Sequence, residues 1–125
     1  MKLLLDTHIL LWLMQDSRQL SAEARRLILG AESLHVSTVS LWEVAIKRSI
    51  GKIKLDPDAL DAHLKASAVQ PLAMTWQHAR QLRELPAHHG DPFDRMLLAQ
   101  ALSEPLHLLT HDAALLPYSP LVVLV

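Results

Sequence analysis

An α/β domain built on a parallel sheet is the fold this sequence predicts, and three features predict it. Five short apolar runs suit buried strands, the segments between them read as helices, and nowhere do two runs meet at a tight hairpin signal. The expected result is a central, mostly parallel five-stranded sheet flanked by helices in three layers. In such a sheet the strand carboxyl ends and the following helix N-termini share one rim, and ligands bind there at the topological switch point.

Taken in order, Lys2 to Leu5 is a buried strand that ends abruptly at Asp6-Thr7-His8 and delivers Asp6 at its carboxyl end. Ile9 to Met14 reads as a short helix that Thr7 helps to cap. Asp16 to Gln19 is a loop, and Ser21 caps a helix that runs to about Leu29 and stops at Gly30. Leu34 to Thr38 alternates as a second strand. From Ser40 the period turns helical, with Leu41, Val44, Ala45 and Ile50 inward, Glu43 near the start and Gly51 as the stop. Lys52 and Lys54 lie in a polar connector, and Asp56-Pro57 opens a helix to about Ala68. Val69 to Met74 is a weaker strand that Pro71 restricts to an edge or an early position. Thr75 caps a helix from Trp76 to Leu85, and Pro86 to Gly90 is a loop. Asp91 at the N-cap, Pro92 at the first position and Asp94 at N3 then start a very apolar helix through Met96, Leu97, Ala99 and Ala101. Leu106 to Thr110 and Leu121 to Val125 are the last strands, joined by a short turn containing Asp112.

Composition narrows the function. The 125 residues suit one domain spanning 1–125, with 50% hydrophobic residues enough for one core. Twelve Lys and Arg against thirteen Asp and Glu give a net charge of -1, which excludes a broadly basic nucleic-acid surface and makes any such contact local. With no cysteine there is neither a disulfide nor a thiolate metal site, and a reducing cytoplasm is the expected compartment. The opening Met-Lys-Leu-Leu-Leu-Asp lacks a signal-peptide core, and no apolar run approaches the roughly 20 residues of a membrane span.

The acids then become informative. Asp6 follows the first strand, Glu43 sits early in the helix after the second, Asp91 and Asp94 open the helix before the fourth, and Asp112 follows the fourth. Asp-Pro-x-Asp alone is an ordinary capping pattern. Four or five carboxylates converging on one rim are different, because in a partly dehydrated cleft they repel one another unless a cation neutralises them. Hard oxygen ligands select Mg²⁺, with Mn²⁺ as a substitute, and such ions activate water and stabilise the leaving oxygen of a phosphodiester. Hydrolysis of a nucleic-acid backbone is the reaction that fits.

Leu3-Leu4-Leu5-Asp6-Thr7-His8, Ser37-x-x-Ser40-Leu41-Trp42-Glu43, Asp91-Pro92-Phe93-Asp94-Arg95-Met96-Leu97 and Leu109-Thr110-His111-Asp112 together resemble PIN-domain ribonucleases of the VapC toxin type. The ordered set spans nearly the whole chain and carries more weight than any one motif. The resemblance implies a PIN-like fold and a Mg²⁺-dependent endoribonuclease serving as the toxin of a toxin–antitoxin pair. It implies an acidic triad of Asp6, Glu43 and Asp94, with Asp112 a fourth acid and Asp91 an additional one that is either a ligand or a cap. It also implies an RNA substrate, a cognate antitoxin and a homodimer. Thr7 and Ser40 would orient carboxylates or water, Ser40 alternatively capping the helix of Glu43. Lys47 and Arg95 would contact RNA phosphate, Lys47 alternatively pairing with Glu43 at i,i+4.

Other residues are assigned simpler roles. His111 and the pair His88 and His89 are read as solvated loop groups rather than ligands. Trp12, Trp42 and Trp76 are read as core or interface anchors rather than base-stacking platforms. The stretch Leu10 to Met14 is apolar all round, as expected of a helix buried deep in the domain or packed on a second chain. Two rivals accompany the nuclease: a catalytically silent PIN-fold module that binds protein or RNA, and a phospho-accepting receiver domain. The latter also has a rim of acids but expects a Thr and Lys pattern that the region around Thr110-His111-Asp112 lacks.

Overall fold

β1 (Lys2–Leu5), β2 (Ser33–Ser37), β3 (Gln70–Leu72), β4 (His107–Thr110) and β5 (Val122–Leu124) form a five-stranded sheet in the order β3-β2-β1-β4-β5, every neighbouring pair parallel. These strands come from a computed structural model that describes residues 1–87 and 90–125. His88 and His89, set aside above as ligands, lie outside the described residues.

Strand order follows from strand chemistry. β1 occupies the centre, Leu3 in register with Leu34 on one side and His107 on the other, and its three leucines have no exposed surface. β3 contains Pro71, which has no N–H to give a second neighbour, and it pairs with β2 alone at the edge. The chain fills one side of β1 with β2 and β3 and then crosses to the other side with β4 and β5. The reversal therefore falls between β1 and β4.

Among the described residues six helices connect the strands: α1 (Thr7–Met14), α2 (Ala22–Leu29), α3 (Thr38–Ser49), α4 (Pro57–Lys65), α5 (Trp76–Gln81) and α6 (Pro92–Ser103). Alternation along β1 sends Leu3 and Leu5 to one face, where they join Ile9, Leu10, Leu11, Ala24, Ile28, Val44 and Leu60 from α1 to α4. Leu4 points to the other face and meets Leu97, Leu98, Ala99 and Ala101 of α6, together with Leu108 and Val122. Truncating a side chain as enclosed as Leu97 to alanine would cost about 2–5 kcal/mol.

Several boundaries differ from the sequence expectation. α1 begins at Thr7 and is capped by Asp6, whose Oδ1 accepts from the Ile9 N–H at 2.8 Å. α3 begins at Thr38 under a Ser37 cap, so Ser40 is not the cap but lies inside the first turn, fully buried. α4 ends at Lys65 rather than Ala68, and α5 ends at Gln81 before a 3-10 turn over Leu82–Glu84. Asp112 caps a second 3-10 segment, Ala113–Tyr118, where a plain turn was expected. Gly51, at φ +76°, ends α3 as expected.

The phase of α3 is also different. Val39, Ser40, Glu43 and Val44 face inward, which turns Ala45 and Ile50 outward. Trp42 is 54% exposed and leans edge-on against Phe93 of α6 at 4.9 Å, and Trp76 is 83% exposed, so neither anchors the core. Leu10 and Leu11 are buried, and Trp12, Leu13 and Met14 pack partly on the same core, which accounts for most of the apolar surface of α1 within the fold itself.

Candidate metal centre

The site begins at the reversal between β1 and β4. Asp6 emerges from β1 with 4% of its surface exposed. Its Oδ1 is committed to the α1 cap and its Oδ2 accepts from the Thr110 hydroxyl at the end of β4. The same Thr110 oxygen accepts from the Asp112 N–H at 3.1 Å. One hydroxyl therefore ties the acid after β1 to the acid after β4. Burial pushes the Asp6 carboxyl above its ordinary value and the Glu43 charge adds to the rise, while Thr110, the Ile9 N–H and His8 oppose it.

A cleft of about 410 Å³ opens at this point, lined by Asp6, His8, Trp12, Asp91, Asp94, His111 and Asp112. Four of the five acids singled out in the sequence thus share one cavity. Asp91 Oδ1 is engaged in capping α6, accepting from Phe93 N–H at 2.9 Å and Asp94 N–H at 3.2 Å. Asp112 Oδ1 accepts from the Ala114 N–H at 3.0 Å.

Glu43 stands behind that lining. It is 2% exposed; Oε2 is hydrogen-bonded to Lys47 one turn along α3, and Oε1 is buried with no hydrogen-bond partner among the described residues. Burial alone would lower the Lys47 ammonium, but the hydrogen bond and charge of Glu43, with the charges of Asp91 and Asp94, hold it above the ordinary lysine value. Lys47 therefore faces acids from two helices, and its i,i+4 pairing with Glu43 is formed. Thr7 donates to Ser40 Oγ at 3.0 Å, a buried bond that locks the first turn of α1 to that of α3. These two hydroxyls bind each other, beside Asp6 and one turn before Glu43.

Arg95 turns toward the fold. Its guanidinium reaches the carbonyls of Pro86 at 2.8 Å and Leu85 at 3.4 Å and the Tyr118 hydroxyl at 3.3 Å. Sequence reasoning gave no role to Thr110, although it stands two residues before Asp112 in a recognised motif. It gave no role to His8, and it read Trp12 as an anchor and His111 as a solvated loop group, whereas the three form a cleft wall in which the rings of His8 and His111 lie tilted and edge-on against Trp12 at 6.1 and 5.2 Å. Both histidines lie within two residues of a rim acid, which was the available signal. His111 Nδ1 is 2.7 Å from the Val125 carbonyl, to which it donates.

Among the described residues, no three His, Asp or Glu side chains already form a ligand cage. The acid oxygens are held instead by helix caps, Thr110 and Lys47. The donor set nevertheless fits a hard divalent cation: it is all carboxylate, and Glu43 carries one buried oxygen left unsatisfied among the described residues.

Comparison with known proteins agrees with this architecture. The PIN domain family model matches residues 3–117. The chain is 31% identical over 114 residues to Ribonuclease VapC22 of Mycobacterium tuberculosis, covering 90% of this chain and 88% of that protein. It superposes on the VapBC2 complex of Rickettsia felis bound to a promoter DNA fragment with a TM-score of 0.72 at 17% identity, covering 99% and 97% of the two chains. A toxin–antitoxin complex from Klebsiella pneumoniae gives 0.68 at 21% identity, covering 96% and 94%. With a family match across almost its whole length and a close VapC relative, this chain belongs to the PIN-domain family, in its VapC-like branch.

Proposed function

We propose that this chain is a divalent-metal-dependent endoribonuclease, the toxin of a toxin–antitoxin pair. The observation that carries the reading is the convergence of Asp6, Asp91, Asp94 and Asp112 on one cleft at the sheet's switch point, with Glu43 buried beside Asp6. Gathering that much like charge is costly to a fold and is useful to a cation. The VapC relative is a ribonuclease by name, and the superposed structures are toxin–antitoxin assemblies.

Asp6, Glu43, Asp94 and Asp112 would hold Mg²⁺ or Mn²⁺, with Asp91 as a further donor. When bound, such an ion supplies the positive charge that activates water and stabilises the leaving oxygen of a phosphodiester. The chain's own residues prepare for this. Thr110 and the Ile9 N–H fix both Asp6 oxygens, the Thr7–Ser40 bond sets the spacing of α1 from α3, and the helix-start amides of α6 orient Asp91. Lys47 is the cation beside these acids that could meet an RNA phosphate, whereas Arg95 braces the loop before α6.

The reading extends to partners. An antitoxin segment would cover the acid cleft, and the exposed apolar residues Trp42 and Ile46 of α3 with Ile50 at its C-cap, spaced four apart, offer a face for a second copy of the chain. Among the described residues no helix is long and apolar enough to cross a membrane, and RNA cleavage would place the protein in the cytoplasm.

Asp94→Asn tests the function. The substitution keeps the side-chain shape and removes the charge, so it should abolish metal-dependent RNA cleavage while leaving metal-free stability unchanged or raised. Added Mn²⁺ should raise the melting midpoint of the wild type. Full cleavage by Asp94→Asn would remove Asp94 from the mechanism. No midpoint shift and no RNA cleavage by the wild type would leave a silent PIN-fold binding module.

A further inference from the structure

We infer that Lys47 is a built-in counter-cation of the acid site: in the metal-free protein its ammonium neutralises Glu43, and a divalent ion gains Glu43 only as Lys47 lets go. The inference rests on the metal-binding reading above and adds a competition that the reading does not require.

Two intrahelical ion pairs in this chain show why Lys47 differs from an ordinary i,i+4 partner. Asp61 and Lys65 on α4 pair at 2.9 Å with side chains 50% and 76% exposed, so water serves both charges whether or not they meet. Glu43 and Lys47 have side chains only 3% and 24% exposed. A carboxylate so enclosed cannot be left to solvent, and among the described residues nothing hydrogen-bonds the other oxygen of Glu43. Lys47 is therefore its sole described source of neutralisation.

The surroundings of Lys47 point the same way. The charges of Asp91 and Asp94, at the start of α6, act on its ammonium together with that of Glu43 on α3. One cation thus sits in the combined field of three carboxylates proposed as metal ligands. A divalent ion entering among them would repel the ammonium and take over its electrostatic role. The inward stripe of α3 makes this arrangement deliberate in sequence terms: Ser40, Glu43 and Lys47 follow one face while Trp42 and Ile46 are turned to solvent.

Competition predicts a direction opposite to that of simple positioning. If Lys47 only held Glu43 in place for the ion, removing the ammonium would weaken metal binding. If it competes, removal strengthens binding, because losing an opposite charge at hydrogen-bond distance changes a carboxylate's preference for another cation by about tenfold or more. The test is Mn²⁺ titration of wild type and Lys47→Met, reading free Mn²⁺ by its paramagnetic resonance signal. Expected are Mn²⁺ affinity about tenfold higher in Lys47→Met, and a lower metal-free melting midpoint that Mn²⁺ restores. Equal or weaker binding by folded Lys47→Met overturns the inference while leaving the metal reading intact, whereas failure of the wild type to bind Mn²⁺ overturns both. Should Lys47→Met fail to fold without metal, the wild type serves: nitrogen-15 spectra of its lysine ammonium groups should show a slowly exchanging Lys47 signal that is lost on adding Mg²⁺. A signal unchanged by saturating Mg²⁺ overturns the competition.

Discussion

The Thr110 hydroxyl is hydrogen-bonded to the carboxylate of Asp6 across 104 residues of chain, and it joins β1 to its neighbour β4 where the strand order reverses. Thr110 has no exposed surface and also accepts the Asp112 N–H, so two acids of the cleft depend on its position. Replacing it with valine keeps the shape and removes the donor, leaving a buried carboxylate oxygen unsatisfied at a cost of about 1–3 kcal/mol. Thr110→Ser, which retains the hydroxyl, should lose less. Urea denaturation at neutral pH checks the order; equal losses for the two variants would mean that the methyl packing matters and the hydrogen bond does not.

Asp6 gives a pH dependence with a definite sign. Burial, with the Glu43 charge behind it, raises its folded value above the ordinary 3.8. Between those two values the folded state holds a proton that the unfolded chain has lost, so stability from this group falls as pH rises through the window and stays lower above it. Asp6→Asn can still cap α1 but carries no charge. It should therefore be at least as stable as the wild type at neutral pH without metal, with the advantage vanishing below pH 3.8. Melting curves across that range in chelator measure the difference; an advantage that grows on acidification would refute the assignment.

Much of this architecture is written in local chemistry. Pro71 marks the edge strand, Ser21 and Asp91 mark helix starts, and the three leucines of β1 mark the centre. What local chemistry could not decide is which of several competent caps is used. Thr7 sits beside Asp6, and Ser40 follows Ser37 by three residues, each able to cap. The choice falls to tertiary structure, because Thr7 and Ser40 are taken up by each other. The phase of α3 was hidden for a related reason. Its buried face carries Ser40 and Glu43 beside Val39 and Val44 while Trp42, Ile46 and Ile50 are exposed, so a rule that sends apolar residues inward places Val44 and Leu41 correctly but wrongly turns Ala45 and Ile50 inward. The difference goes with a charged group, Glu43, placed inside the fold and paired there with Lys47.

That buried contact between Thr7 and Ser40 is itself measurable. Thr7→Val and Ser40→Ala each break the same hydrogen bond, so the double variant should cost less than the sum of the singles. A coupling of about 0.5–1.5 kcal/mol is expected from a net hydrogen bond between neighbours. Additive losses in a double-mutant cycle would show that the two hydroxyls act independently, and would remove the Thr7–Ser40 bond as the device that sets α1 against α3.

Asp91 has two roles to separate, because its Oδ1 already caps α6 while its carboxylate lines the cleft. Asparagine keeps an oxygen acceptor for the Phe93 and Asp94 N–H groups, so Asp91→Asn should fold with nearly wild-type stability, whereas Asp91→Ala loses about 1 kcal/mol with the cap. Metal binding should rank differently. If the charge of Asp91 contributes to holding the ion, both variants lose Mn²⁺ affinity by a similar factor despite their unequal stability. Calorimetric Mn²⁺ titration beside denaturation distinguishes the two, since a cap acting only through the geometry of α6 would preserve affinity in Asp91→Asn and reduce it in Asp91→Ala alone.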